Sequence, residues 1–269
     1  MRTNKFGLGK WLLPAYVVLA FVFLLVPIAY TFVFSFNDSL KSNISWRGFT
    51  LDKWINVCDK PEVCTAFGNS LVIGATATVV ATVLGTMIAI ALVRYRFRFR
   101  AAISLLLFLP MATPEVVLGA GLAAEFLTAG VQKGLGTIII AHIMFCVSFV
   151  VVTVKARVST LDPALEEAGR DLYGSPAQVF WRITFPLLLP GIVAAALLCF
   201  ALSFDDFIIT YFNSGFQTVT FPTYIYTAAA RGIPAEANVI ASAVFVLAIV
   251  LVLVTQISAA LRRKRQAAR

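Results

Sequence analysis

Leu161–Pro190 reads LDPALEEAGRDLYGSPAQVFWRITFPLLLP, a polar and heavily punctuated stretch set between two long apolar runs. Asp162–Pro163 is a helix-capping residue followed by proline at the first helical position. Glu166 and Glu167 then fall near the positive end of the helix dipole. Leu161, Leu165, Ala168 and Leu172 recur at the spacing that places them on one helix face. Gly174 is read as the stop, and Ser175–Pro176 with Gln178 opens a second helix through a capping box. Pro186 breaks the pattern before the next apolar run. The stretch, about 159–186, is therefore two short helices joined by a tight turn and lying flat on a membrane face, a docking place for something outside the bilayer. The alternative is an amphipathic helix that merely covers the spans.

The flanking sequence dictates the membrane. Hydrophobic residues make up 60% of the 269, mean hydropathy is +0.89, and this balance excludes a soluble domain. Charge-free runs extend over Trp11–Asn37, Val63–Val93, Gly134–Val154, Ile183–Phe204 and Ala237–Leu261. Each reaches the roughly 20 residues that a helix needs to cross hydrocarbon. Ala101–Ala123 is apolar apart from Glu115 and makes a sixth. The expected fold class is an all-α polytopic membrane protein, one transmembrane domain over 1–269 with six spans at about 11–36, 69–93, 101–123, 136–154, 187–207 and 237–260. Phe207–Ala230 is also uncharged, but Asn213, Ser214, Gly215, Gln217 and Pro222 interrupt it too often for a lipid-facing helix.

The net charge of +9 orients these spans. With both termini inside, sixteen of the 22 basic residues are cytoplasmic, and only Lys41, Arg47, Lys53, Lys60, Lys133 and Arg231 lie outside. A seventh span would export the basic tail at Arg262–Arg265, against the positive-inside rule. The basic excess reports orientation and anionic membrane lipid rather than nucleic acid. RYRFRFR at Arg94–Arg100 is read the same way, as a short cytoplasmic anchor. The first apolar run is too long for a cleaved signal peptide and is expected to be retained.

The largest loop, about Asn37–Gly68, is expected outside as a cap built on Trp46, Phe49, Leu51 and Trp54. Cys58 and Cys64 could close a small disulfide there or remain two thiols, since spacing alone does not decide. Gly74, Ala77, Ala81 and Gly85 allow close helix approach, either within the subunit or against a second one. Pro110 and Pro114 must kink or break the third span, which a membrane tolerates only where the break faces protein or water.

No catalytic constellation is present. His142 is the only histidine and reads as a hydrogen-bonded packing residue. No GxxxxGK[ST] phosphate loop occurs, so any ATP chemistry belongs to another chain. Metal ligation is not expected. Glu115, beside Pro114, and Asp205–Asp206, ending the fifth span, are the carboxylates to explain. A charge at the bilayer centre costs on the order of 2.5–3.5 kcal/mol, so they point to water, a cation or a basic partner. The competing account places the two aspartates simply at the outer interface.

The hairpin resembles the EAA loop of ABC importer permeases: Glu-Ala-Ala, three residues, Gly, nine residues, Ile, one residue, Leu-Pro. Here the register runs Glu167-Ala168-Gly169, Tyr173 at the glycine place, Ile183 and Phe185-Pro186. Gly169, Tyr173 and Phe185 depart from that pattern. The resemblance implies that Glu167, Ala168, Gly169, Asp171, Tyr173, Gly174, Ile183 and Pro186 couple the subunit to an ATPase. Phe200–Gly215, Thr223–Tyr226, Arg231-Gly232 and Ser35–Asp38 narrow the resemblance to the second permease of spermidine/putrescine importers. That implies a subunit of the bacterial cytoplasmic membrane that is not itself an enzyme. Its partners would be a second permease, two copies of a cytoplasmic ATPase that carry ATP and Mg, and an extracytoplasmic solute-binding protein. No cofactor is implied in this chain. Polyamines are polycations, so a pathway edged by Glu115, Asp205, Asp206 and Tyr211, with Tyr224 and Tyr226 nearby, suits them. Related importers take other solutes. An ion-coupled secondary transporter would instead show an internal repeat with matched broken helices, and none is evident. A membrane-embedded hydrolase would need a nucleophile–base pair or a two-histidine metal motif, and neither is present.

Overall fold

A computed structural model describes residues 9–39 and 44–267; Arg2, Lys5, Lys41 and Arg269 of the charge reading lie outside them. Twelve α-helices follow one another in the described chain. They are α1 (Gly9–Phe34), α2 (Asp52–Ile55), α3 (Pro61–Arg94), α4 (Arg100–Ala112), α5 (Glu115–Thr128) and α6 (Leu135–Val158). After them come α7 (Ala164–Asp171), α8 (Pro176–Val179), a π-helical segment (Phe180–Thr184) and α9 (Phe185–Asp205). The last are α10 (Ile208–Asn213), α11 (Phe221–Ala229) and α12 (Ala235–Ala267). Five helices, α1, α3, α6, the run from α8 into α9, and α12, are long and apolar enough to cross a membrane.

A sixth span exists only if α4 and α5 are taken together, and they meet at a 109° bend. The third span, over about 101–123, is thus broken as its prolines require. Pro110 is accommodated inside α4, whereas the break falls at Thr113–Pro114. A residue before proline is pushed out of the helical region, and Thr113 is extended at ψ 133°. Phe207–Ala230 forms the short α10 and α11 rather than a further span.

The chain divides into two compact units, Met1–Cys64 with Ile225–Arg269, and Thr65–Tyr224. In the second, α6 is central and packs against α9, α4 and α10. More than half (56%) of its most apolar stretch is buried inside the chain, against none for α1. Ala81, Ala141, Cys146, Val150, Leu188 and Cys199 are fully enclosed there. Small residues of α3 serve this packing within the subunit. A Cβ on Gly85 would lie 2.6 Å from Val150 of α6, and one on Gly74 would lie 3.2 Å from the Phe200 ring of α9. Cores this dense tolerate no added methylene without displacing a neighbour.

In the first unit, α1 and α2 pack on α12. The loop between α1 and α2 caps them through aromatic stacking of Phe36 on Phe49 and Trp54, at 5.5 and 5.4 Å. Asn37, fully buried, accepts from the Arg47 N–H (2.7 Å) and donates to the Ser45 carbonyl (2.8 Å). Glu236, in the first turn of α12, is 1% exposed. It is held by Lys53 at 3.2 Å and Lys60 at 3.1 Å, the pairing a buried carboxylate requires. Cys58 and Cys64 are disulfide-bonded, with Cα atoms 5.5 Å apart, so Lys60 sits inside the closed loop.

Candidate functional site

Two candidate sites lie at opposite ends of α9, whose 21 residues span about 30 Å, the thickness of the hydrocarbon layer. The hairpin of α7, α8 and the π-helical segment leads into its start. Asp162 accepts the Ala164 N–H through its carboxylate (2.9 Å). Ser175 and Gln178 close a reciprocal capping box at 2.9 and 3.3 Å. Both match the local sequence.

The turn between α7 and α8 departs from the sequence reading. The left-handed stop falls on Tyr173, at φ +60°, the place where the loop motif carries glycine, and not on Gly174. A Cβ on Gly174 would lie 2.6 Å from the Gly169 carbonyl, whose oxygen accepts the Gly174 N–H at 3.1 Å. Gly174 is therefore required for close approach, and Tyr173 bears the strained conformation of about 1–2 kcal/mol. The inward face of α7 is also not the apolar stripe. Gly169 is buried with no room for a Cβ, which would lie 2.6 Å from Ile183 and 3.2 Å from Val179. Glu166 also turns inward and is half-buried. Leu165 (47% exposed), Leu172 (82%) and Tyr173 (98%) face outward, as do Glu167, Ala168 and Asp171. Pro186 is exposed at the start of α9.

The other end of α9 forms a cavity of about 400 Å³ lined by Glu115, Phe145, Leu198, Asp205, Asp206 and Phe207, among others. It brings Glu115 together with Asp205 and Asp206, 90 and 91 positions further along the sequence, and none of its lining residues is basic. The three differ in what holds them. Asp206 accepts the N–H groups of Ile209 (3.2 Å) and Thr210 (2.7 Å) and the Thr210 hydroxyl (2.9 Å), capping α10. His142 Nε2 lies 3.3 Å from the same carboxylate, with side-chain exposures of 2% and 5%. The two ring nitrogens of His142 also bond Ser203 (2.6 Å) and Thr210 (3.0 Å). Asp206 is thus a structural acid whose lone pairs are committed. Asp205 and Glu115 are exposed, and Glu115 sits in the first turn of α5, where a helix end favours its charge. Tyr211 is outside the lining and packs on Phe207 at 5.4 Å; Tyr224 and Tyr226 are outside it too. The Asp206–Thr210 contacts are local, a helix cap spanning four residues. Only tertiary packing of α6 on α9 and α10 brings His142 to Ser203, Thr210 and Asp206, and no local pattern signals that.

Residues 81–267 match the family of binding-protein-dependent transport system inner membrane components. The chain belongs to that family. The permease is 33% identical over 252 residues to the spermidine/putrescine transport system permease protein PotC of Escherichia coli (strain K12), covering 94% of this chain and 95% of that one. Its identity to PotC of Haemophilus influenzae is 32% over 243 residues, or 90% and 94% of the two chains. To the putrescine transport system permease protein PotI of Escherichia coli (strain K12) it is 32% over 233 residues, or 84% and 83%. Among solved structures it resembles a bacterial ABC transporter involved in the import of the acidic polysaccharide alginate. That likeness has a TM-score of 0.65 at 16% identity over 95% of this chain and 96% of the other. The MetNI methionine ABC transporter gives a TM-score of 0.53 at 18% identity over 73% and 90%. These structural likenesses concern the fold. The permease is an ABC importer subunit of the inner membrane, spanning it several times.

Proposed function

We propose that this permease forms half of the path by which a polyamine, spermidine or putrescine, is imported. The observation that carries the reading is the cavity at the end of α9, where Glu115 and Asp205 are exposed beside the committed Asp206 and no basic residue intervenes. Two free carboxylates at the mouth of a partly dehydrated path attract protonated amines more strongly than bulk water allows. Aromatic Phe145 and Phe207 in the same lining can face ammonium groups through their rings. The likeness to PotC and PotI supports the same solute class.

The permease itself holds no nucleotide. A second permease completes the path, two copies of an ATPase supply ATP hydrolysis with Mg, and an extracytoplasmic binding protein delivers the solute. The exposed face of the hairpin, with Leu165, Glu167, Leu172 and Tyr173, is the docking surface for the ATPase. This reading places the hairpin and both termini in the cytoplasm, and the Cys58–Cys64 loop on the oxidising side. Purification of the tagged permease in mild detergent should therefore yield a complex containing a second permease and an ATPase. Isolation of the permease alone, from cells expressing the whole system, would contradict the assignment.

Orientation has its own test. Cys146 and Cys199 are free and buried, so they can be replaced while the Cys58–Cys64 disulfide is kept. Single cysteines at Ser45 and Ala268 are then exposed to an impermeant maleimide on intact spheroplasts. Ser45→Cys should label and Ala268→Cys should label only after lysis; labelling of Ala268→Cys from outside would reject the six-span topology.

A further inference from the structure

The hairpin is tied to the spans by a cluster that the docking surface does not use. Glu166, adjacent in sequence to the outward-facing Glu167, turns inward from α7. Its Oε1 accepts Arg94 Nη2 at 2.8 Å and the Thr184 hydroxyl at 3.0 Å. Arg94 is the last residue of α3, 72 positions away in sequence, and Thr184 closes the π-helical segment that enters α9. Both charged side chains are 19% exposed, and Thr184 is 6% exposed. One oxygen therefore joins three elements: the hairpin, the end of α3 and the start of α9.

We propose that Arg94, Glu166 and Thr184 form a latch that makes α3 move with the hairpin, so that Glu166 is a positioning residue for coupling rather than a docking residue. The inference rests on the importer reading. Chain connectivity alone links the hairpin directly to α9 and, through the 159–163 turn, to α6. The latch adds a direct tie to the end of α3, and α3 packs on α6 through Gly85 and on α9 through Gly74. A hairpin pushed by an ATPase would thus displace three helices as one body when the latch is closed. When it is open, the end of α3 would stay behind.

Two details favour a moving joint over a static brace. The ion pair uses a single donor of the guanidinium, and Arg94 Nε is buried with no partner among the described residues. A monodentate pair with a spare donor can rotate and re-pair without separating the charges. Thr184 lies in π-helical backbone, and π-bulges recur at functional sites within helices.

The test is a coupling ratio in the full complex, reconstituted in vesicles with its binding protein: spermidine moved per ATP hydrolysed, together with the stimulation of hydrolysis by the liganded binding protein. Glu166→Gln removes the ion pair at constant volume, and Arg94→Gln removes it by replacing the guanidinium with a shorter neutral amide. Each should lower the ratio on the order of fivefold while the complex still assembles, within the range that mutation of a coupling element produces. Arg94→Lys retains one cationic donor, which is all the pair uses, and should keep most of the coupling. Wild-type ratios in both glutamine variants would overturn the latch. So would an Arg94→Lys variant as defective as Arg94→Gln, or glutamine variants that fail to assemble, because these results would make the cluster a folding brace. A wild-type complex whose ATP hydrolysis ignores the binding protein would instead overturn the importer reading, and is distinguished by the wild-type measurement alone.

Discussion

Spermidine uptake at low concentration is expected to fall about tenfold in Glu115→Gln and again in Asp205→Asn, since a hydrogen bond to a charged group contributes about 1.5–3 kcal/mol. The doubly substituted permease should therefore retain about one hundredth of wild-type uptake if the two sites act independently. Amides keep the size and hydrogen bonding of the acids, so the loss isolates charge. Both carboxylates are exposed in the cavity and neither is needed to hold the fold, so the complex should assemble as before. Asp206 behaves differently although it lines the same cavity. Asp206→Ala removes the cap of α10 and leaves His142 and the Thr210 hydroxyl short of a buried partner. The expected cost is about 2–4 kcal/mol of stability, a cap plus an unmet buried polar group. It should be read as a lowered melting temperature in detergent. Wild-type uptake in the Glu115/Asp205 double variant would show those carboxylates to be bystanders.

Glu167→Lys is expected to have the other large effect, at the opposite end of α9. Glu167 lies in the first turn of α7 and faces outward, so reversal of its charge opposes the helix dipole by about 0.3–1 kcal/mol and places a cation on the docking face. Folding should survive, because the inward face of the hairpin is held by Gly169 against Ile183 and by Glu166 with Arg94. Co-purification of the ATPase should drop at least about tenfold, as for a truncated charge in a partner interface. Undiminished ATPase recovery together with undiminished transport would remove Glu167 from the docking surface.

The hairpin was legible in sequence because its signals are local. Asp162, Ser175 and Gln178 cap backbone groups within three residues of themselves, and the structure has those bonds. The helix stop was misread by one residue, because Gly174 looked like the glycine that tolerates a left-handed turn. The structure uses Tyr173 for the turn and Gly174 for contact with the Gly169 carbonyl. Of the apolar stripe Leu161–Leu165–Ala168–Leu172, Leu161 packs against the core while the other three are exposed, a division that periodicity does not encode. The bend at Thr113–Pro114 followed from proline, while neither its 109° magnitude nor the packing of α5 on α10 has a local signal.

The cavity was half legible. Glu115, Asp205 and Asp206 drew attention as charges in or beside apolar spans, and they do share one cavity. Which of them is free was not legible, because it depends on His142 arriving from α6. Tyr211 was singled out through the resemblance and lies outside the lining. The small residues Gly74 and Gly85 left two packing partners open, and the contacts with Phe200 and Val150 place them inside the subunit. In the loop before α3, the charge count assigns Lys53 and Lys60 only to the outer side of the membrane, and the structure has both converging on buried Glu236. Contacts across more than 170 positions leave no trace in local spacing.

The most direct test is solute selectivity of the intact system. The permease is reconstituted with its second permease, ATPase and binding protein in sealed vesicles, and uptake of labelled spermidine, putrescine, methionine and an alginate oligosaccharide is followed with and without ATP. The account requires ATP-dependent accumulation of spermidine or putrescine and none of the polyanion, as an acidic cavity without basic lining dictates. Accumulation of the polyanion or the amino acid, with both polyamines excluded, would contradict it.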